Sequence, residues 1–432
     1  MVAGIMSHRK RPPLALCALA LCAVVACGGE EKKPGPVKTA DNKTEAKAEK
    51  KKATRPVPSA AQLLETAKKY FAPLPARAES PTNPITPEKV ALGRQLYYDT
   101  RLSKNQDLSC NSCHKLEDFG ADHEPTSPGH KGQRGERNSP TVYNAATHFA
   151  QFWDGRAATV EEQATKPISN PVEMALADDA ALVRVVKSVP GYADAFKAAF
   201  PAEPDPVTVT TIGQAIGAFE RGLMTPAPFD DFLGGNMTAL NSDALRGLEL
   251  FIELNCVSCH TGPNLGGTMY QKLGSVKPYT TKDEGRFKIT GKPEDKFVFK
   301  VPGLRNVAKT APYLHDGSAK TLDDALAVMA EYQLAKGKLD DEESTYLKAF
   351  LDSLTGKVDA AYIAKPELPA SGPDTRCSEW VSMSNCARDW LTVSMNRSAT
   401  ADCSRGCRCT SGCSTITIPP VPSRHCVMTG SS

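Results

Sequence analysis

The chain of 432 residues lacks any run of eighteen or more apolar residues, so we expect no helix that spans a bilayer. It also lacks a large charge of either sign. A formal net charge of +3 is too small to favour nucleic acid or a membrane surface as a partner. Strict alternation of apolar and polar residues is scarce, which disfavours a body built of half-buried strands. The 41% of hydrophobic residues suffices for buried cores in two domains.

The N-terminal 58 residues have the pattern of an export signal followed by a tether. Residues 1–27 contain a basic run and then a short apolar run that ends in small residues. The sequence around Cys27 resembles the lipobox of bacterial lipoproteins, in which this cysteine carries the lipid; an ordinary cleaved signal is the alternative. Residues 28–58 are rich in Lys, Glu and Pro and predict a flexible Lys/Glu/Pro-rich tether. We therefore predict contact with a membrane through a lipid anchor only.

The body of the chain has helical periodicity. Thr86 and Pro87 predict a helix whose N-cap is followed by proline at the first helical position. Apolar residues at helical spacing predict two further helices, over 212–223 and over 346–354. We expect the last of these helices to stop at Gly356, its C′ glycine.

A weak internal repeat lies within this body. Gly93 and Tyr97, and again Gly247 and Phe251, stand four residues apart on amphipathic helices. A glycine on a helix face lets a second helix approach closely, and an aromatic residue one turn later packs beside the crossing. Each unit resembles the opening of a class I cytochrome c domain. We predict that the two domains join within residues 225–241, which are rich in proline and glycine.

Each repeat is followed by the motif C-x-x-C-H, the attachment signal for c-type haem. The two thiols form thioethers with the porphyrin, and the adjacent imidazole ligates the iron. A zinc or redox C-x-x-C site is the alternative, but two chance matches after two similar helices are far rarer than one. We predict two covalently bound haem c groups, held by Cys110, Cys113, His114, Cys256, Cys259 and His260.

Residues 371–432 form a cysteine-rich extension. Seven of the fourteen cysteines lie between Cys377 and Cys426, among few apolar residues. A disulfide-stapled module is one interpretation, since an exported compartment permits disulfides. The odd number of cysteines and the absence of a helical pattern favour a disordered extension, to which we assign no function.

Long segments of the body resemble the bacterial di-haem cytochrome c peroxidases. The stretches QFWDGRA and VPGLRNVAKTAPYLHDG are the most distinctive because of their length and unusual composition. The resemblance implies a mainly α fold of two class I cytochrome c-like domains, 59–235 and 236–370, each with one covalent haem. The matching segments are residues 129–145, 151–157, 161–174, 224–231 and 301–317.

The same resemblance implies an enzyme that reduces hydrogen peroxide to water. The haem on His114 is the peroxidatic one, and His130 is its detachable distal ligand. Glu173 carries the proton from the near peroxide oxygen to the departing one, while Gln163 orients the peroxide. Without the resemblance, His130 would be a surface-loop histidine, and Glu173 and Gln163 would be helix-surface residues.

The resemblance also implies that the haem on His260 receives electrons from a small periplasmic cytochrome c or cupredoxin. Met329 matches its axial ligand, with Met269 as the competing candidate, and thioether ligation raises the potential above that of bis-histidine ligation. Trp153 matches a tryptophan between the haems that relays electrons; simple core packing is the alternative role. We expect a homodimer in the periplasm, anchored by lipid.

The resemblance further implies one calcium ion between the haem domains. The matching positions are Asn138 through its side chain, and Thr310 and Pro312 through backbone carbonyl groups. Hard oxygen ligands with several waters suit calcium.

Two other functions stay open at the level of sequence. A non-catalytic di-haem electron carrier would retain His130 on the iron permanently, but it gives no reason for Glu173 and Gln163 to lie together. A related di-haem enzyme matures a tryptophan-derived protein cofactor and has tyrosine as an axial ligand. This chain has Met329 at that position, although Tyr332 lies close by.

Overall fold

The computed structural model describes residues 55–371 and the backbone of residues 407–410 and 426–429. The predicted signal peptide with Cys27, all but the last four residues of the tether, and most of the extension lie outside the described residues. Within 55–371 the prediction of a mainly helical body is confirmed. None of the helices in this range is long and apolar enough to cross a membrane.

The described part contains thirteen α-helices joined by long loops with short 3₁₀ turns. The helices are α1 (Ala60–Ala67), α2 (Pro87–Tyr98), α3 (Cys110–Cys113), α4 (Val160–Ser169), α5 (Asp179–Lys187), α6 (Pro190–Ala199), α7 (Val209–Glu220), α8 (Pro228–Leu233), α9 (Ser242–Glu253), α10 (Phe287–Thr290), α11 (Leu322–Val328), α12 (Asp341–Asp352) and α13 (Ala360–Ile363). Strands β1 (Tyr270–Lys272) and β2 (Val298–Lys300) pair antiparallel, and β3 (Cys407–Thr410) and β4 (Cys426–Thr429) pair parallel.

Helices α2 and α7 cross at Gly93. A Cβ atom on Gly93 would lie 1.9 Å from the carbonyl oxygen of Ala215, so only glycine permits this approach. The Tyr97 ring, one turn later, meets the Phe219 ring edge-on with centroids 5.4 Å apart. Helix α2 begins as predicted, because the Thr86 side chain accepts a hydrogen bond from the first turn.

Helices α9 and α12 repeat this arrangement at Gly247. A Cβ atom there would lie 1.9 Å from the carbonyl oxygen of Tyr346. The rings of Phe251 and Phe350 meet edge-on at 5.2 Å. The predicted repeat is therefore confirmed as two equivalent helix crossings, each with a glycine at the contact and an aromatic pair beside it.

The prediction that Gly356 is a C′ glycine is wrong. Helix α12 ends at Asp352, and its C-cap Ser353 keeps right-handed helical dihedral angles. Gly356 lies three residues later, where its N–H donates to the Asn306 side chain and a Cβ atom would lie 2.1 Å from the carbonyl oxygen of Thr225. Close backbone approach, rather than a left-handed cap, requires glycine at this position.

The buried side chains form two clusters. The first is built from residues between 92 and 223, chiefly from α2, α5, α6 and α7. The second contains residues 63–71 together with residues between 229 and 354. Helix α1 thus packs in the second cluster, although the predicted division at 235/236 assigned it to the N-terminal domain.

The predicted join at 225–241 contains the buried helix α8. Phe229 and Phe232 of this helix are fully buried in the second cluster. Asp230, between them, accepts two hydrogen bonds from the guanidinium of Arg305, whose side chain is 1% exposed. The prolines and glycines of this segment indicate turns, but Pro228 occupies the first position of a helix, where proline is favourable.

Candidate haem sites

The second C-x-x-C-H motif opens onto a pocket. Cys256, Cys259 and His260 line one side of it, and Met329 lines it as well. The pocket and its mouth hold about 1660 Å³ of space free of protein atoms, and both cysteines have free thiols. The fold therefore brings the predicted thioether donors and the predicted axial pair to one cavity.

The ring of His260 is oriented for ligation of a metal. Its Nδ1 donates a hydrogen bond of 3.0 Å to the carbonyl oxygen of Leu265, which leaves Nε2 available. Burial lowers the pKa of His260, and the Leu265 carbonyl opposes this only in part. The imidazole is thus held neutral, which is the form that binds iron. These residues fit a covalently attached haem.

Met329 begins a five-residue π-helical turn, Met329–Gln333, that directly continues α11. Neither Met269 nor Tyr332 is among the pocket-lining residues of the described chain. The Tyr332 ring instead meets the Tyr279 ring edge-on, with centroids 5.1 Å apart. Of the three candidate axial ligands, Met329 is the one that reaches the pocket wall.

The first C-x-x-C-H motif forms the short helix α3. The Ser109 backbone N–H donates to the Ser112 hydroxyl, which fixes the entrance to this turn, and the Tyr97 hydroxyl donates to the carbonyl oxygen of His114 at 2.7 Å. Burial raises the pKa of the Cys113 thiol to about 11, so the free thiol is neutral. Burial also lowers the pKa of His114, as it does for the second histidine.

His130 lies against the segment that carries Glu173. It is 6% exposed and begins the turn His130–Gly132, and its backbone N–H donates to the carbonyl oxygen of Glu173 at 2.7 Å. A Cβ atom on Gly129 would lie 2.0 Å from the carbonyl oxygen of Val172. The fold therefore brings the backbone segments of His130 and Glu173, two predicted site residues, into contact.

The Glu173 carboxyl is half-buried beside the first motif. Burial raises its pKa, while the charge of Arg156 and a hydrogen bond of 2.9 Å from the Asn170 amide partly oppose this. The carboxyl is close enough to Cys113 to raise the pKa of that thiol. The sequence did not identify Asn170 as a site residue, although it precedes Pro171 and the dipeptide Asn-Pro indicates a turn. Gln163 lies half-buried on α4, ten residues before Glu173.

Trp153 lies beside the predicted calcium positions in the pocket at the second C-x-x-C-H motif. Its indole N–H donates to the carbonyl oxygen of Asn138 at 2.9 Å, and it lines the pocket together with Asn138, Thr310 and Pro312. No group of three or more His, Cys, Asp or Glu side chains suited to a metal occurs in the described part of the chain. An ion here would need the amide and carbonyl oxygens that the resemblance names, so calcium stays a prediction.

Comparison with known proteins identifies the class. The sequence model of the di-haem cytochrome c peroxidase family matches residues 87–238. The chain is 46% identical over 305 residues to the cytochrome c551 peroxidase of Nitrosomonas europaea, covering 69% of this chain and 90% of that protein. It is 42% identical over 327 residues to the cytochrome c551 peroxidase of Pseudomonas aeruginosa, covering 74% and 93%.

A solved structure is also similar. It is a MauG-like protein associated with microbial copper homeostasis, with a TM-score of 0.62 and 30% identity over 68% of this chain and 97% of that one. The chain belongs to the di-haem cytochrome c peroxidase family. The family predicted from the sequence is therefore confirmed, and the names of the relatives confirm that the prediction of an enzyme was right.

Proposed function

We propose that this protein carries two covalent haem c groups and reduces hydrogen peroxide to water. Two electrons and two protons convert one peroxide into two waters, and a small periplasmic cytochrome c or cupredoxin supplies the electrons. The observation that carries this proposal is the half-buried carboxyl of Glu173 beside the first C-x-x-C-H motif, on a segment whose backbone contacts the His130 turn. A carrier of electrons alone has no use for a proton-exchanging group there.

When bound, the two haems supply the redox chemistry and the iron on which peroxide is reduced. Glu173 performs the proton step: one carboxylate oxygen is held by Asn170, and the other takes the proton of the near peroxide oxygen and returns it to the departing one. A raised pKa suits this group to both roles, since it gains and loses a proton closer to neutral pH. Gln163 would orient the peroxide, and His130 would be the detachable ligand of the first iron.

His260 and Met329 hold the second iron in this proposal. Thioether ligation by Met329 would raise the potential of that iron above that of bis-histidine ligation, which suits it to electron entry. Trp153 is the relay between the haems; its pocket contact and its hydrogen bond to Asn138 support this role.

Maturation of a tryptophan-derived protein cofactor is less well supported. That activity is tied to an axial tyrosine, whereas Tyr332 packs on Tyr279 and Met329 reaches the pocket. A visible and near-infrared spectrum tests this directly, because methionine-ligated ferric haem has a charge-transfer band that tyrosine-ligated haem lacks.

Glu173→Gln tests the peroxidase. The variant should retain both haems and the redox step at higher potential, which belongs to the haem on His260 and is called the upper step below. It should lose peroxide turnover by about 10²–10⁴-fold, the contribution typical of a general acid–base group. Glu203→Gln is the matched control, since Glu203 is exposed and belongs to neither motif. A Glu173→Gln protein with near-normal turnover would rule out the proton-carrying role.

Location and assembly complete the proposal. We infer a homodimer in the periplasm, anchored by lipid at Cys27, with one calcium ion held by Asn138, Thr310 and Pro312. Cys27→Ser should move the protein from the membrane fraction to the soluble periplasm. Wild-type protein that is already fully soluble would favour an ordinary cleaved signal.

A further inference from the structure

A buried lysine lines the pocket at the second C-x-x-C-H motif. Lys300, at the end of β2, is 5% exposed and lines the same cavity as His260 and Met329. No carboxylate of the described chain lies within ion-pair distance of its Nζ. The Nζ makes one side-chain hydrogen bond, of 2.9 Å, to Nδ1 of His148.

His148 does not neutralise this cation. Its Nε2 lies 2.7 Å from the Asn264 amide nitrogen, while the Asn264 Oδ1 is buried without a partner. Rotating that amide lets Oδ1 accept from Nε2–H, at the loss of a 3.3 Å bond to Asn144. Nδ1 then accepts from Lys300. His148 is therefore a neutral acceptor, and burial together with the Lys300 charge holds its pKa well below the usual value.

The acidic group whose charge acts on Lys300 is already paired with other residues. Asp154 acts on Lys300 only through its charge, because its carboxylate is bound by the guanidinium groups of Arg137 and Arg156. A buried cation without a counter-ion is costly, and burial lowers the pKa of Lys300 to about 7. An anion in the pocket would remove this cost. Haem, the proposed occupant, carries two carboxylates on its edge.

We propose that Lys300 pairs with a carboxylate of the haem attached at His260 and thereby raises the reduction potential of that haem. This inference rests on the proposed two-haem function. A fixed positive charge beside a haem stabilises the state with the additional electron, so loss of the charge lowers the potential. His148 and Asn264 act through Lys300, as positioning residues that fix the place of its Nζ.

The test compares Lys300→Gln with Lys300→Arg in the full-length, haem-loaded protein. Optically monitored redox titration should show the upper step of Lys300→Gln lowered by at least a tenfold change in the ratio of reduced to oxidised haem, about 59 mV for one electron. Lys300→Arg keeps the charge and should stay near the wild type. The lower step should not move. Lys296→Gln is the matched control, because Lys296 is exposed and paired with Glu284.

Haem content is measured first. Wild-type protein with a single covalent haem would overturn the proposed function itself. If the wild type carries two haems but the upper step of Lys300→Gln is unmoved, only the pairing is overturned. The pairing is also overturned if Lys296→Gln or Lys300→Arg shifts the upper step as much as Lys300→Gln does. If Lys300→Gln loses the second haem alone, retention by Lys300→Arg supports the pairing. Loss of that haem by both variants overturns it, since charge is then not what matters.

Discussion

The backbone N–H of His130 donates a 2.7 Å hydrogen bond to the carbonyl oxygen of Glu173. The proposed gate of the first haem therefore rests directly on the segment that carries the proposed proton-exchanging carboxyl. Gly129 permits this contact, because a Cβ atom there would lie 2.0 Å from the backbone of Val172. A movement of the His130 backbone would break this bond, whereas rotation of the His130 side chain alone would leave it intact.

His130→Gly should open the first iron in the fully oxidised protein. If the imidazole only blocks the iron, the variant binds cyanide readily and reacts with peroxide before any donor is added. His123→Gly should leave the oxidised protein closed, since both ring nitrogens of His123 are engaged, by Asp118 and by the Ala311 carbonyl oxygen. Exclusion of cyanide by His130→Gly would show that the gate lies elsewhere, with His123 as the next candidate.

Met329→His should lower the upper redox step and leave the lower one in place, because imidazole stabilises ferric iron more than thioether does. Met269→His should leave both steps unchanged, since Met269 does not line the described pocket. Potentiometric titration followed at the haem bands measures this. A shift produced by Met269→His and not by Met329→His would reverse the ligand assignment.

Gly93→Ala and Gly247→Ala should each destabilise the protein by about 1–3 kcal/mol or more, the usual cost of overpacking. Alanine gains about 1 kcal/mol over glycine in helix propensity, but a Cβ atom 1.9 Å from a carbonyl oxygen outweighs this gain. Gly135→Ala, where no atom lies within 4 Å, should be close to neutral. Urea unfolding measures the difference; equal stability of all three variants would contradict the close crossings.

Asp230→Asn should cost about 3–5 kcal/mol, because it leaves the buried Arg305 charge uncompensated. Burial lowers the pKa of Arg305, and the charge and hydrogen bonds of Asp230 oppose this; a guanidinium remains charged in proteins. The neighbouring Asp231 is exposed, so Asp231→Asn should change the free energy of unfolding by less than about 0.5 kcal/mol. Similar losses in the two variants would mean that the Arg305 pair is not the cause.

The Asp283 carboxyl should stabilise the fold in a pH-dependent manner. Burial alone would raise its pKa, but hydrogen bonds from Arg137 and the Gly285 N–H, with the charges of Arg137 and Lys288, lower it to about 2. Its pKa is thus lower in the folded than in the unfolded chain. The stabilisation, about 1–2 kcal/mol, is therefore complete well above pH 4 and lost as pH falls towards 2.

Asp283→Asn measures this contribution. Its free energy of unfolding should lie below that of the wild type at pH 7, and the gap should close between about pH 4 and pH 2. Asp194→Asn, at an exposed position, should show no gap at any pH. A gap for Asp283→Asn that is constant with pH would contradict the lowered pKa.

The amino-acid sequence by itself determined the local features of this protein. The two C-x-x-C-H motifs, the Thr86 cap and the glycine–aromatic pairs of α2 and α9 follow rules that involve residues within about one helical turn. Such rules hold in any surroundings, and the helix crossings at Gly93 and Gly247 agree with them. The family, too, was apparent from contiguous segments.

The tertiary structure alone decided which distant residues meet. It buried α8 within the second cluster through Asp230 and Arg305, brought Met329 rather than Met269 to the pocket, and left Lys300 without a counter-ion on the pocket wall. These outcomes depend on burial and on charges contributed by segments more than seventy positions apart, as with Asp230 and Arg305. The energies of buried charges are set by their surroundings, and those surroundings exist only after the chain has folded.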